Sequence, residues 1–237
     1  MKLAGLEVQI QDARDVSGAP VVLLLHGFEM SADDLAPFGA SMGLPAVFLF
    51  ADGPIDLPPD PAGRRRRAWW RIDTDARDAA IAAGIDRDLS DEDPVGLPDV
   101  RARLVDLLDQ VALRWPGRPT FVGGFSQGAI LSLDMVLRTG RRPTGLVLLS
   151  GARVDAATVR PLMPRLAGLP VFHSHGRADT ELSFRAAEGL SKELVAAGAE
   201  VTWLPFDGGH EIPLPVLRGL KKFVRAHAVP GAGAEPK

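Results

Sequence analysis

The sequence predicts an α/β fold in which one mostly parallel sheet is covered by helices on both faces. Short apolar runs such as Val21 to Leu25 alternate along the chain with longer segments of helical periodicity. These runs lack the polar alternation of half-exposed strands, which is typical of strands buried on both sides. Because strands that alternate with helices usually pair in parallel, we expect chemistry where the strands end.

Strands are predicted where short apolar or alternating runs are bounded by turn residues. The first run alternates in polarity and suits an edge strand, whereas most of the later ones are continuously apolar. The predicted strands are residues 6–10, 21–25, 46–50, 120–123, 144–149, 171–176 and 200–204.

Helices are predicted from apolar residues at helical spacing and from their end signals. Ser31 suits the N-cap of the first helix, and Gly198 suits the residue just past the end of a later one. The predicted helices are residues 31–40, 99–115, 129–137, 183–197 and 213–227.

Length and composition suit one domain. The chain has 237 residues, of which 46% are hydrophobic, and we expect a single domain over residues 1–229 with a flexible tail at 230–237. A net charge of −3 gives no indication of a nucleic-acid partner. The absence of cysteine excludes disulfides and thiolate catalysis. With neither a signal peptide nor a membrane-length apolar run, a cytoplasmic location is expected, while the oligomeric state stays open.

Residues 53–98 form an irregular insert, rich in proline, glycine, aspartate and arginine. A segment of this length without clear periodicity is unusual unless it has a function, such as a lid or the wall of an acyl pocket. Trp69 and Trp70 suit such a wall, although both could instead belong to the core. The basic run Arg64 to Arg67 favours a solvated charged surface, with an anionic ligand as the alternative.

The segment Gly124-Phe125-Ser126-Gln127-Gly128 lies between a predicted strand and a predicted helix. This G-x-S-x-G pattern in this context is typical of a nucleophile elbow, a sharp turn that holds a serine hydroxyl out of a strained backbone. Side chains two residues before or after the serine would collide with neighbouring elements, which explains the glycines.

Two further strand ends carry the residues that a nucleophilic serine requires. Asp179 follows one strand and His210 the last, so that the chain order is Ser, Asp, His, as in α/β-hydrolases. Asp155 is an alternative acid from an earlier strand, and Glu181 is expected to cap the next helix. His26 also ends a strand, where we expect it to brace the adjacent loop.

Four motifs together resemble the phospholipase/carboxylesterase family of α/β-hydrolases, which includes acyl-protein thioesterases. They are Leu25-His26-Gly27-Phe28, Gly123-Gly124-Phe125-Ser126-Gln127-Gly128-Ala129, His175-Gly176-Arg177-Ala178-Asp179 and Gly208-Gly209-His210-Glu211. The resemblance implies that Ser126 is the nucleophile, Asp179 the acid and His210 the base. It places the oxyanion hole at the backbone N–H groups of Phe28 and Gln127.

Other features of the family bear on the substrate. The segment around Trp69 is similar to an Arg-Ala-Trp segment found at this place in many members. Members carry small apolar residues after the first His-Gly pair, so the bulkier Phe28 and the charged Glu29 depart from the pattern, which bears on the acyl-chain size. The reaction needs no cofactor, since protein groups supply the nucleophile, the base and the electrophile.

The remaining histidines have simpler explanations. His173 and His175 lie on one face of a strand and could form half of a metal site, but no third ligand is evident, so no metal is predicted. His227 suits an interaction with the C-terminal end of the last helix.

These observations favour a serine carboxylesterase that acts on small-molecule esters with small, apolar acyl groups. An acyl-thioesterase or lysophospholipase with a longer acyl groove would use the same machinery. A catalytically silent hydrolase fold that serves as a binding module is the alternative of a different class.

Overall fold

A computed structural model describes residues 1–11 and 18–228. The predicted tail at 230–237, and most of the turn predicted at 15–20, lie outside the described residues.

Ten strands and seven α-helices are formed by the described residues. The strands are β1 Lys2–Leu3, β2 Leu6–Gln11, β3 Val21–Leu25, β4 Val47–Ala51, β5 Ile55–Leu57, β6 Arg66–Ala68, β7 Thr120–Phe125, β8 Gly145–Leu149, β9 Pro170–Gly176 and β10 Glu200–Phe206. The helices are α1 Ala32–Met42, α2 Thr74–Ala82, α3 Leu97–Arg114, α4 Gln127–Thr139, α5 Ala156–Val159, α6 Phe184–Ala196 and α7 Leu214–His227, with a 3-10 helix at Arg160–Leu166.

The main sheet has eight strands in the order β1-β2-β4-β3-β7-β8-β9-β10. The six strands from β4 to β10 pair in parallel, whereas β2 pairs antiparallel with β4 and β1 antiparallel with β2. The predicted, mostly parallel sheet is therefore confirmed. The carboxyl ends of β3, β7 and β9 meet at one edge, which is where the candidate site lies.

Helices cover both faces of the sheet, as predicted. One apolar cluster joins the buried sides of α3, α4 and α6 to one face, and a second joins α1 and α7 to the other. The parallel strands in the middle of the sheet are buried along their whole length apart from Thr120 at the start of β7, so their side chains contribute to both clusters.

The insert contains more regular structure than its sequence predicts. Strands β5 and β6 form a separate antiparallel pair, and α2 follows them. No residue of α2 is buried, so the helix has no apolar stripe that could have indicated it. Two of the three residues of β6 are arginines, which likewise hid the strand.

Candidate active site

Ser126 stands at the turn between β7 and α4 with a strained backbone. Its φ of 54° and ψ of −117° lie outside the regions that L-residues prefer. The turn is held because the Ser126 N–H donates to the Leu149 carbonyl at 2.9 Å, while the Ser126 carbonyl accepts the first bonds of α4. Strain of this kind is kept only where the surroundings fix it, and it is concentrated at functional sites.

The two glycines of the motif are required by close backbone approach. A Cβ atom at Gly124 would lie 2.3 Å from the Leu25 carbonyl oxygen, and one at Gly128 would lie 2.2 Å from the same atom. The end of β3 therefore packs directly against the elbow. This confirms the steric reason for glycine at both positions.

Asp179 and His210 meet across the ends of β9 and β10. His210 Nδ1 lies 2.7 Å from Asp179 Oδ2, and the Asp179 side chain is fully buried. The other carboxylate oxygen accepts the backbone N–H groups of Glu181 and Leu182, each at 2.9 Å. Asp155, the alternative acid, instead forms an ion pair with Arg138.

Electrostatics keep Asp179 ionised. Burial by itself would raise the pKa of this carboxyl, but hydrogen bonds from His175 and His210 outweigh it and hold the pKa well below its usual range. The carboxylate can therefore fix His210 with Nδ1 protonated, which leaves Nε2 as the nitrogen able to accept a proton.

Ser126 and His210 face the same cavity. Its volume is about 700 Å³, and Phe125 also lines it, with its ring centroid 4.7 Å from that of the His210 imidazole. Within the described part of the chain the Ser126 hydroxyl has no hydrogen-bond partner, His210 included. Such contacts are often long before substrate binds and tighten in the complex.

Two backbone N–H groups that belong to residues lining the same cavity as Ser126 have no acceptor among the described residues. Neither the N–H of Phe28 nor that of Gln127 donates a hydrogen bond to any described residue, and both residues line the cavity. The Gln127 N–H also stands at the start of α4, where the helix dipole attracts negative charge. An unpaired N–H in a buried setting is costly, so this pair is suited to receive an anionic oxygen.

His26 braces the loop that carries Phe28. The side chain is fully buried, its Nε2 accepts the Gly53 N–H at 2.9 Å, and its Nδ1 lies 2.7 Å from the Gly27 carbonyl. Burial lowers the pKa of His26 to about 4, although the bond to Gly27 and the charge of Asp52 act against this. A neutral imidazole with a hydrogen bond at each ring nitrogen fits the structural role expected for this residue.

The two tryptophans occupy different places. Trp70 lines the cavity. Trp69 is not among the cavity-lining residues, because it is 1% exposed and its indole N–H donates to the His26 carbonyl at 2.9 Å. Trp69 therefore supports the loop that begins at His26. Of the two tryptophans, only Trp70 is placed to contact a substrate.

The Gln127 side chain was not singled out from the sequence, yet it connects the elbow to the insert. Its Oε1 accepts the Trp69 N–H and its Nε2 donates to the Trp70 carbonyl, each at 3.0 Å. Both bonds span more than fifty residues of chain, and no local pattern could have indicated them.

Helix α2 forms an outer wall of the cavity through Ala76, Arg77 and Ala80. The Arg77 guanidinium lies 3.7 Å from the Glu29 carboxylate and 5.5 Å from the centre of the Phe28 ring. These contacts join the α2 wall to the loop that carries Phe28 and Glu29. Nothing in the sequence of the insert indicated it.

The basic run does not line the cavity, and its exposure falls along the chain: Arg64 and Arg65 are exposed, as predicted for a solvated charged surface, whereas Arg66 and Arg67 are partly buried. Each of its four arginines forms an ion pair with an acidic residue. The pairs are Arg64 with Asp60, Arg65 with Asp52, Arg66 with Glu29 and Arg67 with Asp56. The pairs of Arg65 and Arg66 thus join the insert to the rest of the fold, whereas those of Arg64 and Arg67 lie within the insert.

The remaining sequence candidates have other roles. Glu181 lines the cavity and does not cap α6, because Ser183 is the N-cap and its side chain accepts the Ala186 N–H at 3.0 Å. His227 Nδ1 lies 2.9 Å from the Phe223 carbonyl. In residues 1–11 and 18–228, no group of three or more His, Cys, Asp or Glu side chains is arranged to hold a metal ion.

No helix in the described ranges is both long and apolar enough to cross a membrane.

Comparison with known sequences gives consistent matches. Residues 7–228 match the profile of a family described as phospholipase/carboxylesterase. The chain is 26% identical over 209 residues to a probable carboxylesterase from Oryza sativa subsp. japonica. This alignment covers 87% of this chain and 77% of the rice protein. It is 30% identical over 122 residues to acyl-protein thioesterase 1 from Eremothecium gossypii, which covers 50% of this chain and 52% of that protein.

Solved structures share the architecture over nearly the whole chain. Esterase PE8 superposes with a TM-score of 0.75 at 22% identity, covering 94% of this chain and 99% of its own. Acyl-protein thioesterase 2 from Zea mays superposes with a TM-score of 0.72 at 18% identity, with the same coverage of both chains. At these low sequence identities, the structural similarity shows a shared fold alone.

Proposed function

Because this chain belongs to the phospholipase/carboxylesterase family and has the α/β-hydrolase fold, we propose that it is a serine carboxylesterase for small apolar acyl esters. Membership makes it an ester hydrolase; the triad and the substrate are our proposal. The observation that carries it is the 2.7 Å hydrogen bond between His210 and the buried Asp179, beside a strained Ser126 on the same cavity.

In the proposed mechanism, the Ser126 hydroxyl attacks the ester carbonyl while His210 Nε2 takes its proton. Asp179 stabilises the imidazolium that forms, and the alcohol leaves with that proton as the acyl group stays on Ser126. Water then attacks the acyl-enzyme with His210 again as the base, releasing the acid and restoring the serine. Every proton that leaves a nucleophile passes through one imidazole.

The proposed oxyanion hole consists of the Phe28 and Gln127 N–H groups. As the carbonyl becomes tetrahedral, its oxygen gains negative charge that these fixed donors stabilise, and losing one such donor typically raises the barrier by about 3 kcal/mol. Support for this assignment comes from their lack of any other acceptor among described residues.

The test is covalent labelling of the purified protein. A fluorophosphonate probe is expected to label the wild type and to fail on Ser126→Ala, with hydrolysis of p-nitrophenyl acetate lost in parallel. Labelling that persists in the variant would refute the assignment of Ser126. A wild type that neither hydrolyses esters nor reacts with the probe would instead favour the binding-module alternative.

A second candidate, a thioesterase or lysophospholipase with a longer acyl groove, is favoured by the size of the cavity. At about 700 Å³ the cavity is as large as those that hold drug-sized ligands, and its wall includes Trp70, Ile72 and Ile85. A chain-length series of p-nitrophenyl esters, with matched thioesters, distinguishes the candidates. A preference for acetyl or butyryl groups would argue against the long groove. A cytoplasmic location and a single-domain organisation stay predictions.

A further inference from the structure

Asp179 contacts a second imidazole besides that of His210. His175, the second-to-last residue of strand β9, is fully buried, and its Nε2 lies 3.1 Å from Asp179 Oδ2. This is the same carboxylate oxygen that faces His210. Together with the two backbone N–H groups on Oδ1, four donors thus surround one carboxylate.

The protonation of His175 follows from its neighbours. The Nε2 atom faces two acceptors, Asp179 Oδ2 and the Leu182 carbonyl at 3.2 Å, so Nε2 carries a proton and donates it. The Nδ1 atom has no hydrogen-bond partner among the described residues. The hydrogen bonds of the ring therefore go to Asp179 and to the Leu182 carbonyl in the loop that follows Asp179.

We propose that His175 is a positioning residue that fixes the Asp179 carboxylate in the orientation needed by His210. The proposal rests on the proposed function, because it assigns His175 a role through the acid of that triad. With only the two backbone bonds on Oδ1, the carboxylate could turn about its Cβ–Cγ axis and weaken the contact to His210. The N–H of His175 holds the same oxygen, Oδ2, that faces the imidazole of His210.

Strand β9 also supplies a matched control. His173 lies two residues earlier on the same face, is equally buried, and packs with its ring centroid 4.5 Å from that of Trp203. Both of its ring nitrogens lack hydrogen-bond partners within the described ranges. Substitution at His173 therefore tests the cost of changing a buried imidazole of this strand without any contact to Asp179.

The experiment compares His175→Met, which has no donor, with His175→Gln, whose amide N–H reaches the position of Nε2. His173→Met is the control, and thermal unfolding of each variant reports folding. We expect His175→Met to lose about 10- to 100-fold in kcat/KM for p-nitrophenyl acetate, as for a hydrogen bond to a charged group. The loss should lie in kcat, because no substrate contact is removed, and His175→Gln should recover most of it.

Three results would overturn the proposal. They are a kcat/KM of His175→Met within about threefold of the wild type, an equal loss in His173→Met, and a folded His175→Gln that is no better than His175→Met. If His175→Met does not fold, His175→Asn replaces it, since its shorter amide cannot reach Asp179. Labelling of His175→Asn by the fluorophosphonate as fast as His175→Gln would then decide against the proposal.

Failure of the proposed function looks different in the same assays. In that case the wild type would show no hydrolysis, or Ser126→Ala would retain it, whatever the variants of His175 do. An active wild type with an inactive Ser126→Ala leaves the His175 variants to decide the positioning role alone.

Discussion

The Gln127 side chain offers a direct test of how the elbow and the insert are joined. Gln127→Met keeps the length of the side chain but can neither accept the Trp69 N–H nor donate to the Trp70 carbonyl. The backbone N–H of residue 127, which we assign to the oxyanion hole, is unchanged. The substitution therefore separates the support of the cavity wall from the stabilisation of the oxyanion.

The expected cost follows from burial. Trp69, Trp70 and Gln127 are 1%, 3% and 4% exposed, so water cannot replace the lost partners without rearrangement. Each buried polar group left unpaired costs about 1–3 kcal/mol, and two such groups give a loss of about 2–6 kcal/mol in the free energy of unfolding. This is a large share of the roughly 5–15 kcal/mol typical of a folded domain.

Urea unfolding followed by tryptophan fluorescence measures the change. Ser132→Ala is the control. Ser132 lies on the same helix, and its hydroxyl donates to the Gly128 carbonyl at 2.7 Å. That carbonyl keeps its backbone hydrogen bond within the helix when the hydroxyl is removed. We expect this control to lose no more than about 1 kcal/mol. A Gln127→Met protein within about 0.5 kcal/mol of the wild type would refute the inferred role of the two hydrogen bonds.

Three further predictions concern acid stability, a buried charge and acyl selection. Burial lowers the pKa of His26 from 6.5 to about 4 in the folded protein. The stability that depends on a neutral His26 is therefore fully present above pH 6.5, and it is lost as the pH falls from 6.5 towards 4. This loss amounts to about 3 kcal/mol and should be missing in urea titrations of His26→Gln. Asp134 is 3% exposed between Arg101 at 2.5 Å and Arg138 at 2.8 Å, so Asp134→Ala should lower the unfolding free energy by about 3–5 kcal/mol; a loss below about 1 kcal/mol would contradict this. Trp70→Leu should raise kcat/KM for octanoyl relative to acetyl esters several-fold, and an unchanged ratio would contradict a role of Trp70 in selecting the acyl group.

The sheet and the positions of the candidate triad could be predicted because their signals are local. Continuous apolar runs indicate buried parallel strands, and the glycines around Ser126 reflect contacts that any elbow of this shape must make. The helix predicted at 183–197 is observed at Phe184–Ala196, with Gly198 at a φ of 84° just beyond its end. Each of these features is encoded within a few residues of where it occurs.

The insert and the supporting contacts could not be predicted, because they depend on partners distant in sequence. Arg65 pairs with Asp52 and Arg66 with Glu29. The sequence of the basic run shows the four positive charges but not the acidic partners that they meet in the fold. Helix α2 buries none of its residues, and its periodicity is therefore uninformative. In the sequence, His175 was considered together with His173 as half of a metal site because the two share a strand face, and no local pattern indicated its contact with Asp179.

The candidate site divides into a rigid part and a loosely held part. Ser126 is fixed by a strained turn, and Asp179 by four donors on buried or partly buried groups. By contrast, the α2 wall has no buried residue, and its ion pair between Arg77 and Glu29 joins partly exposed side chains, whose contribution is typically about 1 kcal/mol or less. Since the proposed reacting groups sit on strand ends and this wall on a weakly attached helix, we expect changes in α2 to alter which acyl groups enter without disturbing the proposed proton transfer. In the proposed mechanism, acyl selectivity can therefore change through α2 while the groups proposed for acyl transfer keep their positions.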